Sequence, residues 1–432
     1  MYVGIYEREI TPPVGCDMPG YYSQRLSQGI LDKLYAKAVV ISPDDKNMEN
    51  AIALISIDML SLKADLCAGV LERAEKLCGI KKNNISLTAT HTHLGMPSGG
   101  TFSKRDDDVM NLLPKYVADA VLGAKMNLTE CDIYFGTGEV KGLCFNRDYY
   151  IDDGSICTNP GALKDHIFKP YSGVNESLPI VSFKNKNGEL IGILWEYACH
   201  QDCVGGLMVS GDYSSIVSKE LKKVYGENFV SIYFPGASGD INNIDFIGGN
   251  TPDYVTMGKK LADESVKVLG SSEKIEGENI VCRRDELKFT IRRATKEEIE
   301  YAKKVVEDPS ILPPKKVMLG DTIYKLLLDF EEKMENSLPY SIMPIKAMSV
   351  GELLLFFLPG ELYHQYESKV REAFKGRKIF FSQLSNIGGG YFPVPELFGT
   401  YVYPTMLCEG SHFTPECGNV LTESTIKLAN GL

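Results

Sequence analysis

The chain has 432 residues, 44% of them hydrophobic and 24% charged, with a formal net charge of −11 at pH 7. That is enough chain for one large α/β domain or two smaller domains, with the composition of a globular protein. The acidic balance speaks against a nucleic-acid surface, since phosphate binding needs clustered Lys and Arg, and the basic pairs Lys81–Lys82 and Lys315–Lys316 read as solvated faces. No apolar run approaches the ~20 residues of a membrane helix, so no transmembrane segment is expected. Residues 1–8 lack the basic and apolar regions of an export signal. The eleven cysteines are scattered without framework spacing, which reads as reduced thiols in a cytoplasmic protein.

Residues 36–42 and 51–57 are β-branched and apolar, and the second stretch ends at Asp58. Residues 64–78 place Leu66, Val70, Ala74 and Leu77 at helical spacing before a capping Gly79. Residues 85–89 alternate like a half-buried strand and run into Thr90-His91-Thr92-His93, followed by a helix over about 109–126. Residues 190–198 read as a buried strand ending at His200, Asp212 caps a helix through 224, and 229–234 return as a strand. The pattern then shifts. Residues 278–293 are extended, Thr295 and Glu298 form a capping box, and a second helix covers 321–334. Residues 343–350 and 353–358 form a hairpin across Gly351, 361–374 a helix, 378–384 a strand and 421–428 a closing helix. This alternation predicts an α/β fold, a large mixed β-sheet core flanked by helices. It fits one catalytic domain over 1–432, with an inserted or appended segment near 275–340.

The chain has 6 His, and two of them stand at one strand end. Two residues apart on a strand they share a face, roughly 7 Å apart at Cα, so one ring can hold a metal while the other reaches a substrate. Three further stretches carry unusual residues: Trp195 to His200, Leu358-Pro359-Gly360-Glu361, and the glycine run 388–390 before Tyr391. Two His and a carboxylate make a hydrolytic zinc set with a position open for water. Spacing alone leaves alternatives open: His200 as a core histidine, Arg147 as a surface ion pair, Tyr391 as a core aromatic. Cys199 and Cys203 flank His200, but no matching pair exists elsewhere, so they read as buried thiols. Asp58, Asp212 and Asp240 read as braces for metal-bound histidines or as helix caps, Asp212 chiefly as a cap. His166 and His364 read as surface residues, and His412, Cys408 and Cys417 have no assigned role.

In this order the residues resemble the catalytic domain of the neutral/alkaline non-lysosomal ceramidases, as a short, divergent member. The matching stretches are Ile10-Thr11-Pro12-Pro13-Val14-Gly15, Gly29 to Ala36, Thr90 to His93, Asn146-Arg147, Ala198-Cys199-His200, Ser210 to Tyr213, Ser238 to Asn242, Pro359-Gly360-Glu361 and Gly390-Tyr391. The resemblance runs to near residue 425, so no C-terminal immunoglobulin-like domain is expected. It implies that His91, His200, Glu361 and Tyr391 bind one zinc ion, and that His93 and Arg147 face a substrate amide. It implies hydrolysis of a linear N-acyl amide by zinc-bound water, with His93 as acid/base or oxyanion donor. An esterase, lactonase or cyclic-amide hydrolase with the same zinc site is the first alternative, and a binding protein on a decayed hydrolase scaffold is the second. Two motifs depart from the family. The Ser of its Gly-Asp-x-Ser-Pro-Asn loop is replaced by Asn242, a candidate hydrogen-bond donor, and its Tyr-Glu-Gly reads Cys408-Glu409-Gly410. Tyr401, Tyr403 and His412 are candidates for the missing phenol. With no export signal either, ceramide is not the expected substrate; a small-molecule amide is, with homo-oligomerisation left open.

Overall fold

The structure, a computed structural model, describes residues 1–313 and 315–432. Its elements, in chain order, are β1 (Tyr2–Glu9), β2 (Tyr35–Ser42), β3 (Ile52–Ile57), α1 (Ala64–Cys78), β4 (Ile85–Ala89), α2 (Asp107–Met126), β5 (Thr129–Glu139), β6 (Ser177–Asn185), β7 (Leu190–Tyr197), α3 (Tyr213–Tyr225) and β8 (Val230–Pro235). There follow α4 (Tyr254–Ser271), β9 (Ile280–Thr290), α5 (Lys296–Glu307), α6 (Thr322–Met334), β10 (Tyr340–Val350), β11 (Leu353–Phe357), α7 (His364–Ala373), β12 (Lys378–Ser382) and α8 (Cys417–Ala429). The first sheet runs β8-β7-β6-β5-β1-β2-β3-β4, and the second β9-β10-β11-β12. Both are mixed: β3/β4, β7/β8 and β11/β12 are parallel pairs, and the other neighbours are antiparallel. The fold is therefore the expected mixed α/β architecture.

The two sheets pack face to face. Val39, Leu54, Val181, Leu194, Ile232 and Phe234 of the first meet Met348, Leu355, Phe357 and Phe380 of the second. The outer face of β2–β4 takes α1 and α2, that of β6–β8 takes α3 and α4, and the second sheet takes α7 and α8. Coverage on both faces explains why β3 and β8 are buried at every residue, and why they read as continuous apolar runs rather than alternations. Among the described residues no helix is long and apolar enough to cross a membrane, and all eleven cysteines are free, including Cys199 and Cys203.

One buried cation stands between the layers. Lys346 of β10 is 3% exposed and donates to the Ile85 carbonyl at the start of β4. Burial pulls its pKa down to about 8, while an unfolded chain holds that proton up to about 10.4. Between those values the unfolded state binds more protons, so stability rises with pH across that window. Lys346→Met is expected to stabilise the fold by about 1–3 kcal/mol at pH 7 and to flatten the rise between pH 8 and 10; urea melts at pH 7 and pH 10 check both.

Candidate metal centre

Four chain segments end at one place, each following a parallel strand pair, where α/β sheets commonly place their sites. β4 stops at Ala89, and the next residues turn: Thr90 N donates to Ile57 O (2.9 Å), His91 N to Met59 O (3.0 Å) and His93 N to Gln201 O (3.2 Å). His91 takes φ 70°, left-handed for a residue that bears a side chain. The same-face argument for His91 and His93 therefore fails, because neither is on the strand. The turn brings their rings together instead, perpendicular and 4.9 Å apart between centroids. His200 follows β7 and is anchored through its N–H on Ile241 O (3.3 Å).

Glu361 also departs from expectation. The helix starts at His364, and Glu361–Leu362 are extended, paired in parallel with Tyr391–Phe392. Glu361 N donates to Gly390 O (2.9 Å), which commits its backbone to that pairing. The preceding Gly360 holds φ 76°, and a Cβ there would lie 2.6 Å from Gly390 O; only glycine turns the chain there. Gly239 is under similar pressure, since a Cβ would stand 2.7 Å from Glu361 O.

The donor atoms converge. Glu361 Oε2 lies 3.2 Å from His91 Nε2 and 3.4 Å from His200 Nε2, yet it is buried without an aligned hydrogen bond. The Tyr391 hydroxyl is 3.4 Å from His200 Nε2, and His93 Nε2 is 3.4 Å from His91 Nε2. Zinc–nitrogen bonds of ~2.0–2.1 Å in a tetrahedron separate neighbouring donors by ~3.3–3.4 Å. The side chains present thus fit a divalent ion. His91 Nδ1 meets Leu60 O (2.9 Å) and His200 Nδ1 meets Ile241 O (3.0 Å). Each carbonyl takes the Nδ1 proton and leaves Nε2 a free lone pair facing the centre. Among the described residues, His91, His93 and His200 also form a group whose nitrogens all lie within 4.8 Å of one another.

The charges are strongly coupled. Burial disfavours the Glu361 carboxylate, but the His91 and His200 rings outweigh it and hold its pKa well below the usual range. Burial likewise depresses the His91 imidazolium, and Glu361 reverses that, so His91 lies above the ordinary histidine value. His93, with burial and the His91 and His200 rings all acting against a proton, is pushed well below it. His200 is lowered too, first by burial.

A family model for neutral/alkaline non-lysosomal ceramidase, N-terminal, matches residues 1–244. The chain belongs to this ceramidase family. Two solved structures share its fold: neutral ceramidase from Pseudomonas aeruginosa, 18% identical with a TM-score of 0.73, covering 99% of this chain and 73% of that one, and a ceramidase complexed with C2, 17% identical with a TM-score of 0.74, covering 99% and 74%. His91, His93, Arg147, His200 and Asn242 fall within the stretch matched by the ceramidase family model; Glu361 and Tyr391 fall outside it.

Around the ceramidase-family centre, Arg147 is buried with its guanidinium 5.0 Å from the Tyr391 ring centroid, and it donates to the Gly239 carbonyl. Burial opposes its charge, but Tyr391, Tyr363 and Asp148 restore it and raise the pKa. Asn242 sits on the strand pair beside it, donating to Asn159 Oδ1 (2.9 Å) and accepting from Ile244 N (3.0 Å). Asp58, Asp212 and Asp240 do not brace the rings of His91 and His200, whose Nδ1 partners are backbone carbonyls. Asp58 accepts from Tyr35 N (2.8 Å). Asp212 caps α3 and holds Cys203 N (2.8 Å) and Val204 N (3.1 Å), just beyond His200. Asp240 binds Asn146 (2.9 Å) and His364 Nδ1 (2.7 Å). His364 is therefore no surface residue: burial lowers its pKa, Asp240 outweighs this, and the result lies above the ordinary value. His166 is exposed and paired with Asp152, as expected.

Of the three candidates for the missing phenol, Tyr403 packs its ring edge-on to Tyr391 at 5.7 Å. His412 instead stacks on Phe330 and bonds Glu409 O (2.7 Å). Tyr22, with no motif to mark it, packs on Tyr403 at 5.7 Å. Val317, Ile323 and Leu326 close over these phenols.

Proposed function

We propose that the chain is a zinc-dependent hydrolase cleaving a linear N-acyl amide. The observation that carries this reading is the convergence of His91, His200, Glu361 and Tyr391 at tetrahedral donor spacings, with both imidazoles turned by carbonyl partners. Glu361 is preferred over His93 as third ligand because its Oε2 sits close to both other nitrogens, whereas the His93 ring centroid is 6.0 Å from that of His200.

Zinc held there supplies Lewis acidity and water acidified to near neutrality. The chain's own groups do the rest. His93, neutral because its proton is disfavoured, takes the proton from the attacking water at Nε2 and returns it to the leaving amine. Arg147, a fixed cation, orients the carbonyl or stabilises its developing negative oxygen. Asn242 borders that side with an amide partly committed to Asn159. Tyr22 packs edge-on against both Tyr403 and Phe102, an aromatic cluster of mixed polarity beside Tyr391. The loop 239–243 carries no hydroxyl, which supports a substrate other than ceramide.

The test is a panel of N-acyl amides of graded chain length, assayed before and after chelation. Short-chain amides are expected to be cleaved, activity to vanish on complete metal removal, and stoichiometric zinc to restore it. Hydrolysis that persists without metal would overturn the mechanism. Turnover of esters or lactones but no amide would favour the alternative leaving group, and inertness towards every class the binding-protein reading.

A further inference from the structure

We infer that Asp202 is the positioning residue for His93: its carboxylate holds the imidazole in the tautomer that presents Nε2 to the substrate amide. This rests on His93 handling the proton in the reading above.

Three histidine rings cluster at the centre, and two have a fixed Nδ1 partner, Leu60 O for His91 and Ile241 O for His200. His93 Nδ1 is buried with no hydrogen-bond partner. The group it faces is Asp202, whose Oδ2 lies 3.9 Å away. That is too long for a hydrogen bond, but contacts in catalytic sites are often long until substrate is bound. The shift needed is about 1 Å, and the Asp202 side chain, 30% exposed, has room to make it.

The surroundings orient the carboxylate through one oxygen and leave Oδ2 turned towards the ring. Tyr21 donates its hydroxyl to the other oxygen, Asp202 Oδ1. The Tyr21 ring is held between the edge-on His93 ring at 5.6 Å and the Arg25 guanidinium at 3.8 Å. Arg25 in turn donates to the carbonyls of Pro19 and His93 itself, so the clamp closes on the residue it serves. Space beside Nδ1 is kept open by Gly20, where a Cβ would stand 2.7 Å from that nitrogen. A carboxylate on Nδ1–H leaves Nε2 unprotonated and aimed at the centre, and raises its basicity.

15N-histidine NMR of the zinc-loaded full chain reads the tautomer without any substrate, with only six histidines to assign and His93→Gln to identify the resonance. Wild type is expected to carry the His93 proton on Nδ1, and Asp202→Ala to shift the ring to a mixture of tautomers while zinc content stays constant. On a cleavable amide, Asp202→Ala and Asp202→Asn are expected to lower kcat about 10–100-fold with KM nearly unchanged, and Tyr21→Phe to lower it less. A His93 protonated on Nε2 in the wild type, or unmoved in Asp202→Ala, overturns the inference. Zinc lost from the Asp202 variants overturns it too, since Asp202 would then be holding His200. If no amide is cleaved by the wild type while the tautomer responds as stated, the amidase reading fails and the positioning role stands.

Discussion

His91→Ala is expected to bind zinc at least ~100-fold more weakly than the wild type, since loss of a residue that merely braces a ligand costs 10–100-fold. The wild-type chain should carry one zinc ion per molecule by elemental analysis, and the variant little. The structural reason is the position of His91: its Nε2 stands 3.2 Å from Glu361 Oε2 while its Nδ1 is held on Leu60 O (2.9 Å), so deletion removes an already oriented donor. It also leaves Glu361 a buried carboxylate with one histidine where it had two. Hydrolysis should fall with the metal. A substoichiometric wild type, or a variant that retains its zinc, would sink the assignment.

His93→Ala separates two ligand sets that distance alone places side by side. If Glu361 completes the centre, the variant keeps its zinc and loses 10²–10⁴-fold in kcat, the range for removal of a general acid–base group. If the three histidines are the binding set instead, zinc leaves both His91→Ala and His93→Ala, and Glu361 becomes the proton carrier. The first outcome is expected because Glu361 Oε2, buried and without an aligned hydrogen bond, points between two nitrogens whose other faces are locked on carbonyls. His93 has no such lock on its far side. Elemental analysis and kcat measured on one preparation decide between the two.

Hydrophobic patterning made β2, β3, β4, β7 and α1 legible, down to the Gly79 cap with φ 73°. It also marked the capping box at Thr295. It says less where tertiary pairing outranks local preference. Glu361 reads as the first turn of a helix, yet its N–H is taken by Gly390 O across the chain, a partner no window of sequence contains. Periodicity alone marks no element over α4, although Asp253 caps it through Val255 N and Thr256 N. For the candidate site, the residues that stand in short family-like motifs are legible in the sequence: His91, His93, Arg147, His200, Glu361 and Tyr391. Tyr21, Tyr22, Arg25 and Asp202 are not, because they lie in loops without periodicity and acquire meaning only through the side chains they face. His364 reads as a surface residue for the same reason: nothing near it in sequence announces Asp240.

The proposed ligands divide evenly by origin. His91 and His200 leave the first sheet, and Glu361 and Tyr391 lie on segments that leave the second. Between these layers the contact is mainly apolar side chains, a non-directional attraction that resists sliding weakly. A metal shared by the four side chains would act as a cross-link, joining positions 91 and 391 of the chain much as a disulfide joins distant cysteines. Ligation and cohesion of the two sheets are then one equilibrium, and every factor that loosens their packing also loosens the ion.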